Sequence, residues 1–492
     1  MLSTALEYLA RFVFLLDVVF ACIIVFFERK NPGVTWAWLM VVLLIPYGGF
    51  IIYLILGQDS RKYRVFAQKG REDAALIDQY LKNNAANIKN WAISLIDQSN
   101  MRWFKKPGYG HLNDLVYLNN VAGLGAFTEN NQLTLFHEGN SKFERMLRDI
   151  QNAQTYIHMQ YYIVRKGKLA DKLLAALTEK ARQGVEVKFL FDGMGCATTP
   201  QGLYKPLKKA GGEIGEFLPP YFVRLNFRNH RKICVIDGHI GYLGGLNIGD
   251  EYLGLDKRFG YWRDSHIRIV GDAVKQLELR FIMDWSFSTK TRLPFLPKYF
   301  PELSPAGRGK VPMQIVSSGP DTQWPSIYDG YNKMIGEAET SIYIQTPYFV
   351  PDDSIYEALR VAALAGLDVR IMIPAHPDHP FVYWAALSYL SQLMPAGVRC
   401  YQYETGFVHS KLLMIDGKVT SVGTANMDVR SFRLNFECNA FIYDEDTTLA
   451  FQKEFLSTLD KDCTEMDQNW FANRSAWKKI KESISRLLSP LL

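Results

Sequence analysis

Apolar residues fall along this chain in two regimes, unbroken runs near the N-terminus and short periodic runs thereafter. From Thr35 to Gly57 the segment TWAWLMVVLLIPYGGFIIYLILG holds 23 residues without a charge, and a hydrocarbon core needs roughly 20 helical residues to be crossed. A second apolar run, Leu9 to Phe27, precedes it, separated only by ERKNPGV with its Asn-Pro-Gly turn signal. The pattern predicts a transmembrane helical hairpin over residues 1–60, with spans at about 9–27 and 35–57. Asp17 weakens the first span, since an acid near a helix centre costs about 3 kcal/mol on insertion scales, while Arg11 can snorkel from its end. A cleaved signal peptide fits less well, because the extreme N-terminus has no basic region and a second long span follows almost at once.

Beyond residue 60 the runs shorten and repeat. AQTYIHMQYYI at 153–163 resembles AETSIYIQTPYF at 338–349, GVEVKFLF from Gly184 resembles GLDVRIMI from Gly366, and HRKICVIDGH at 230–239 resembles HSKLLMIDGK at 409–418. The offset drifts slowly from 185 to 182 to 179 residues in one order along the chain, the mark of a duplicated unit. Each copy reads as an aromatic and β-branched strand, a helical pattern such as KLADKLLAALTEKARQG ending at Gly184, and another short apolar strand. This alternation predicts an α/β fold of two pseudo-symmetric lobes, each a mixed sheet flanked by helices. The expected organisation is a hairpin at 1–60, a basic juxtamembrane connector at 61–130, a first lobe at 131–290, a Pro- and Gly-rich linker at 291–312 and a second lobe at 313–492. The terminal AWKKIKESISRLLSPLL places apolar residues at helical spacing opposite Lys and Arg, which suits either a membrane surface or a helix closing the second lobe.

The repeated phrase carries the candidate chemistry. Residues i and i+2 of an extended segment share a face, so His230 projects with Lys232 and His409 with Lys411. Asp237 and Asp416 follow each lysine by five residues and directly precede Gly, a position that reads as a hairpin turn. Next come GGLN from Gly244 and GTAN from Gly423, which bring Asn247 and Asn426 back beside the bases. If the lobes face each other, two His, two Lys and two Asn surround one tetrahedral anion. Such a pocket can stabilise a five-coordinate phosphorus, with one imidazole attacking and the other protonating the leaving oxygen. A lone His-x-Lys pair is usually a surface feature; two copies inside a duplication are not. No HExxH or Cys/His cluster supports a metal, and His376 and His379 in PAHPDHP read as a loop or substrate wall.

Composition changes the picture little. Hydrophobic residues make up 48% and charged residues 22% of the chain, which excludes disorder as the class. Six scattered cysteines with no CxxC pair point to reduced thiols. The net charge of +6 suits an anionic lipid surface and equally a nucleic acid. Arg61, Lys62, Arg64, Lys69 and Arg71 after the second span outnumber Arg29 and Lys30 in the hairpin loop, which places the lobes on the cytoplasmic side of a multi-pass cell-membrane protein.

The pattern HxKxxxxDxxxxxxGxxN, matched at His230, Lys232, Asp237, Gly244 and Asn247 and again at His409, Lys411, Asp416, Gly423 and Asn426, resembles the phospholipase D superfamily. The hairpin together with GGLNIGDEY, YWRDSHIRI, GTANMDVRSFRLNFE and RLLSPLL narrows the resemblance to the bacterial cardiolipin synthases. The resemblance implies a catalytic set of His230, Lys232, Asp237, His409, Lys411 and Asp416, with Asn247, Asn426, Gly244, Gly423, Thr424, Glu437 and Asp264 in phosphate-binding or supporting roles. It implies no metal or other cofactor. It further implies reversible phosphatidyl transfer between two phosphatidylglycerol molecules, through a phosphohistidine, giving cardiolipin and glycerol. By analogy His230 is the nucleophile and His409 the general acid and base, with the swap left open. An acid against each histidine is expected: Glu437 matches one such position, the equivalent spacing in the first half lands on Arg258, and Asp264 is the nearest carboxylate. Gly245 stands where the second copy has Thr424, so one hydroxyl contact is missing from the first lobe. The implied partners are phosphatidylglycerol and anionic membrane lipids, with no nucleic acid expected and a homo-oligomer left open. The alternatives are a membrane-tethered phospholipase D or other phosphodiesterase, a nuclease among them, and a non-catalytic lipid-binding scaffold.

Overall fold

The computed structural model describes residues 32–45, 60–83, 109–218, 227–302 and 309–487, with scattered positions between 15 and 53. In the first half the strands are β1 (Asn131–Glu138), β2 (Tyr156–Tyr161), β3 (Glu186–Asp192), β4 (Glu213–Phe217), β5 (Arg228–Asn229), β6 (Ile233–Ile236), β7 (Ile240–Gly244) and β8 (Tyr261–Gly271). In the second they are β9 (Met313–Ser318), β10 (Ser341–Gln345), β11 (Phe349–Val350), β12 (Asp368–Pro374), β13 (Arg399–Tyr403), β14 (Gly406–Val408), β15 (Leu412–Ile415), β16 (Val419–Gly423), β17 (Met427–Asp428), β18 (Asn435–Ile442) and β19 (Cys463–Glu465). The main sheets have one topology, β1-β8-β7-β6-β2-β3-β4 in the first lobe and β9-β18-β16-β15-β10-β12-β13 in the second. Both are mixed: β2, β3 and β4 run parallel, as do β10, β12 and β13, while the hairpins β6–β7 and β15–β16 run antiparallel.

The two-residue period of the strands sorts their side chains between cores. Ile157 and Met159 of β2 face an outer core with the helices Gly139–Asn152 and Lys168–Arg182. Ile342 and Ile344 of β10 face the equivalent core with the helices Ser326–Glu337 and Asp353–Leu364. On the opposite faces of the same strands Tyr156 and Tyr343 join a third core that both lobes share. Into it the helix Val274–Thr289 inserts Leu277, Phe281 and Trp285, and the helix Glu445–Asp462 inserts Phe451, Phe455 and Leu459. Burial of such side chains is worth about 1.5–3 kcal/mol each, so the lobes form one folding unit.

Short strands stitch the lobes together beside the candidate residues. β14 lies parallel to the start of β8, with Phe407 opposite Trp262, and β5 lies parallel to the start of β18, with Phe436 opposite Asn229. Each lobe thus lends its neighbour the residues that immediately precede its own histidine.

The N-terminal region docks onto the same junction. In the helix Ser60–Asn83, Phe66 packs edge-on against Phe227 and Phe436 at centroid separations of 4.9 and 5.2 Å. Lys69, counted above among the juxtamembrane charges, is instead fully buried and ion-paired to Asp73 at 2.6 Å, Asp321 at 2.7 Å and Asp284 at 3.2 Å. The helix Asn113–Gly123, within the expected connector, packs on the second lobe, where Gln314 Nε2 donates to the carbonyls of Gly125 at 2.6 Å and Val116 at 3.0 Å.

Among the described residues no helix is long and apolar enough to cross a membrane. The helix Pro32–Leu44 covers the first part of the second expected span; most of the rest of 35–57 and of 9–27 lies outside the described residues. The C-terminal helix Ala476–Leu487 closes the second lobe, the second of the readings given above. It packs against the helix Pro380–Leu393, yet leaves Trp477, Ile480, Ile484 and Leu487 exposed on one side.

Candidate active site

His230 and Lys232 lie in the extended link between β5 and β6, and His409 and Lys411 in the matching link between β14 and β15. Both histidines and both lysines are buried. Each lysine curls back on its own motif: Lys232 Nζ donates to the His230 carbonyl at 2.6 Å, and Lys411 Nζ donates to the carbonyl of His409. The residue between them differs. Ser410 is buried, whereas Arg231 sends its guanidinium to Asp284 at 2.6 Å and the Ser318 carbonyl at 3.1 Å, with Nε donating to the Glu437 carbonyl at 3.0 Å.

The supporting acids are exchanged between the lobes. His230 Nδ1 lies 3.0 Å from both carboxylate oxygens of Glu437 on β18, and His409 Nδ1 lies 2.8 Å from Asp264 Oδ2 on β8. An ionised carboxylate only accepts, so each Nδ1 carries the proton and each Nε2 keeps its lone pair for chemistry. Asp264 is the true counterpart of Glu437: each stands two residues before the strand partner of its motif glycine, His266 for Gly244 and Asn439 for Gly423. Asp264 follows Gly244 by 20 residues and Glu437 follows Gly423 by 14, because the first lobe inserts the turn around Asp250–Leu253. That insertion is why equal spacing landed on Arg258, which sits exposed and pairs with Asp256 at 2.6 Å.

The Gly245/Thr424 difference follows from these acids. Thr424 Oγ1 donates to Glu437 Oε2 at 2.5 Å, so the hydroxyl steadies the carboxylate that orients His230. A Cβ at Gly245 would stand 2.0 Å from Asp264 Oδ1. The first lobe has no hydroxyl there because its acid fills the space. Gly244 and Gly423 likewise pack against the neighbouring strand, where a Cβ would meet Ser265 and Cys438 carbonyl oxygens at 2.4 Å.

Asp237 and Asp416, grouped above with the catalytic set, stand at the opposite ends of β6 and β15 from the bases and are corrected here to structural positions. Their φ angles of +51° and +55° make the hairpin turns with Gly238 and Gly417. The Asp237 carboxylate accepts from the backbone N–H groups of Gln154, Thr155 and Tyr156 at 2.8–3.0 Å, and Asp416 does the same for Glu339, Thr340 and Ser341 at 2.8–2.9 Å. Burial works against the Asp237 carboxylate, but these donors win and hold its pKa below the ordinary value. Among the described residues one group has metal-ligand spacing, His111, Glu339 and Asp416, and it lies at this far turn. Asn247 is also committed elsewhere, accepting from Ile163 N at 3.1 Å and donating to the Tyr252 hydroxyl at 3.0 Å. Asn426 differs, since its Oδ1 is buried with no hydrogen-bond partner among the described residues.

The two clusters lie close enough for the charges of each to act on the other. Burial, then the ammonium groups of Lys411 and Lys232, depresses His409 well below the usual imidazole range, with His230 adding to the effect. Burial pushes His230 down to about 4, against the pull of Glu437. Lys411 is lowered to about 8 by burial, opposed by Asp264 and Glu437, and Lys232 falls further, with Lys411 contributing. Asp264 is raised to about 6 by burial. An anion entering between the lysines would restore their protons and relieve this strain.

Several neighbours escaped sequence reading. Tyr162 meets His230 edge-on at 4.9 Å and lies under Lys232 Nζ at 5.2 Å, while Trp262 lies 5.3 Å from His409. On the second-lobe side Tyr348 donates to Asp378 at 2.6 Å and packs beside His379 at 5.8 Å, and the charge of Asp378, in the PAHPDHP loop, reaches His409 and Lys411. Tyr162 and Tyr348 both belong to the first repeated phrase, which was the available signal.

Comparison with known proteins agrees with this geometry. A profile for the PLD-like domain of cardiolipin synthases matches residues 146–285 and 331–459, the two stretches that carry the exchanged pairs. The chain belongs to the cardiolipin synthase family. The cardiolipin synthase of Listeria monocytogenes serotype 4a (strain HCC23) is 44% identical over 492 residues, covering 99% of both chains. The major cardiolipin synthase of Bacillus subtilis (strain 168) is 45% identical over 487 residues, covering 97% of this chain and 98% of that one. A phospholipase D-nuclease N-terminal profile matches residues 15–58. The crystal structure of phosphatidylserine synthase from Haemophilus influenzae superposes with a TM-score of 0.60 at 14% identity, covering 79% of this chain and all of that one, which shows the shared fold. Within the cardiolipin synthase family, the lobes here are an enzyme scaffold whose site is complete only when both halves are present.

Proposed function

We propose that this protein transfers a phosphatidyl group from one phosphatidylglycerol to another through a phosphohistidine. His230 Nε2 attacks the donor phosphorus and the bond from phosphorus to the glycerol headgroup oxygen breaks. The anionic lipid phosphate, once bound beside His409, favours its imidazolium form, so His409 takes up a proton at Nε2 with the substrate and gives it to the departing glycerol oxygen. Neutral His409 then takes the proton of the second lipid's headgroup hydroxyl, whose oxygen attacks phosphorus and displaces His230, giving cardiolipin. Lys232 and Lys411 stabilise the equatorial oxygens in each transition state. The observation that carries this reading is the exchange of acids: His230 is oriented by Glu437 and His409 by Asp264, so both imidazoles are poised around one shared anion site. Burial of both rings limits water and favours an alcohol acceptor over hydrolysis.

The same reading places the lobes at a cytoplasmic membrane face, held by the hairpin at 1–60. The N-terminal profile match and the exposed Trp36, Met40 and Leu44, spaced four apart on the helix Pro32–Leu44, support an apolar surround.

The deciding experiment gives purified protein phosphatidylglycerol labelled in phosphorus and separates the products. Release of glycerol with a four-chain lipid of two phosphates is expected; phosphatidic acid as the sole product would mean hydrolysis. Acid-quenched His409→Ala should retain label on the chain and His230→Ala should not, and the reverse result would swap their roles.

A further inference from the structure

The reaction proposed above consumes lipids, and the second lobe carries a surface helix turned the wrong way for water. A helix on the surface of a water-soluble protein buries its apolar stripe and shows its polar face to solvent. The C-terminal helix Ala476–Leu487 does the reverse. Trp477, Ile480, Ile484 and Leu487 share one face by their helical spacing and are 46–63% exposed. Glu482 and Ser485 are buried instead, and Glu482 is ion-paired there to Arg474. The helix is thus docked on the lobe through polar residues, with its apolar stripe facing outward.

That stripe is continuous with the approach to the histidines. Lys481 Nζ lies over the rings of Trp477 at 5.8 Å and Trp384 at 4.8 Å, and Trp384 meets Phe381 edge-on at 5.7 Å. Phe381, itself 53% exposed, stands in the first turn of the helix Pro380–Leu393, directly after Asp378 and His379. Asp378 accepts from Tyr348 at 2.6 Å, and the next residue, Phe349, pairs with Met427, which follows Asn426 of the site. A path of aromatic rings therefore runs from the outward stripe to the edge of the catalytic pocket. The charges fit one surround. Lys478, Lys479 and Arg486 are exposed, Lys481 is half-buried, and the helix's acid Glu482 is already paired. A protein partner would have to match these cations with acids of its own, whereas a membrane of phosphatidylglycerol offers anions all along the stripe and an apolar layer beneath them.

We propose that the C-terminal helix and Phe381 form an interfacial contact that seats the second lobe on an anionic bilayer, with the edge of the site at the lipid headgroups. The contact acts separately from the N-terminal hairpin: the hairpin tethers the chain, whereas the C-terminal stripe sets which way the site faces. Phosphatidylglycerol then passes from the bilayer to the histidines along Trp477, Trp384 and Phe381. The assignment rests on the phosphatidyl-transfer reading and names the surface from which its substrate is drawn.

The test uses the full chain reconstituted in vesicles of phosphatidylglycerol and phosphatidylcholine in equal parts. Trp477 emission, taken as the difference between the unsubstituted protein and Trp477→Phe, should be quenched by lipids brominated on the upper acyl chain. Ile480→Asp combined with Ile484→Asp should raise the KM for vesicle phosphatidylglycerol roughly tenfold, as expected when two apolar side chains leave the interface. The same variant, in detergent, should keep the original rate on dihexanoyl-phosphatidylglycerol below its micelle concentration. Ile480→Leu combined with Ile484→Leu should keep the original KM on vesicles. Unquenched Trp477 emission, or an equal loss of rate on the monomeric lipid, would overturn the assignment. Unquenched emission together with a dimer that the aspartate variant dissociates would give the stripe to a second copy of the chain. If the unsubstituted protein formed no cardiolipin from either lipid, the transfer reading would fall, while Trp477 quenching would still decide the membrane contact.

Discussion

Asp264, on the longest strand of the first lobe, accepts a hydrogen bond from Nδ1 of His409 in the second at 2.8 Å. Glu437 does the same in reverse for His230. Carboxylate replacement should therefore act across the lobe boundary. Glu437→Gln keeps the shape but can present an amide N–H to His230 and stabilise the wrong tautomer, which in comparable triads costs roughly 10²–10⁴-fold in turnover. We expect that loss for cardiolipin formation in Glu437→Gln, with accumulation of labelled protein reduced in step. A Glu437→Gln enzyme within threefold of the original rate would show that the pairing is ornamental.

Lys411, held near 8 by burial, gives the site a basic limb. Below that pH its ammonium is present in the free enzyme and attracts the lipid phosphate; above it the proton leaves. Bound phosphate returns the proton, so the titration moves upward in the complex. The expected profile is a kcat/KM that falls as pH rises through about 8 while kcat falls only at higher pH. Initial rates over a range of lipid surface concentrations from pH 6.5 to 9.5 measure both, and a flat kcat/KM across that window would count against an essential charged Lys411.

The turn carboxylates should behave differently from the bases. Asp237→Ala leaves the backbone donors of Gln154, Thr155 and Tyr156 without their acceptor, and loss of such bonds at a half-buried turn costs about 2–4 kcal/mol in total. A lower melting temperature is expected, with kcat of the folded fraction within about threefold. If kcat instead dropped a hundredfold at an unchanged melting temperature, Asp237 would belong with the chemistry after all.

Gly245 offers a steric test. Its place 2.0 Å from Asp264 Oδ1 leaves no room for a Cβ, so Gly245→Ala must push the carboxylate off His409. Turnover should fall by roughly the same factor as in Asp264→Asn, and the double variant should be little worse than either alone because both act on one contact. Additive losses would separate the two effects.

Much of this was legible in the chain. The drifting repeat marked two lobes of one topology, because strand and helix periods survive duplication. The Asp-Gly turns were readable because φ > 0 at that position restricts the residue type. The exchange of Asp264 and Glu437 was not readable: it depends on β14 pairing with β8 and β5 with β18, contacts with no local signature, and the inserted turn hides the correspondence. Lys69 shows the same limit, since a basic residue after an apolar run looks like a lipid contact until Asp284 and Asp321 arrive from more than 200 residues away. The engagement of Asn247 has a local origin instead, its amide being claimed by Tyr252 five residues on, in the inserted turn.

The lysines that serve the phosphate also burden the fold. An unfolded Lys411 titrates near its ordinary 10.5 and the folded one near 8, so the unfolded chain binds the extra proton between those values and stability rises with pH across that window. The cost is present in full below pH 8 and amounts to on the order of 3 kcal/mol. Lys411→Met removes it, although Asp264 then loses a cation that helps keep it ionised. A net gain of about 1–2 kcal/mol is expected near pH 7, together with loss of catalysis. Melting curves of both proteins between pH 7 and 10 should converge as pH rises, because the original chain sheds its penalty and the variant has none. A Lys411→Met protein less stable than the original at pH 7 would mean that the ammonium is already compensated in the folded state.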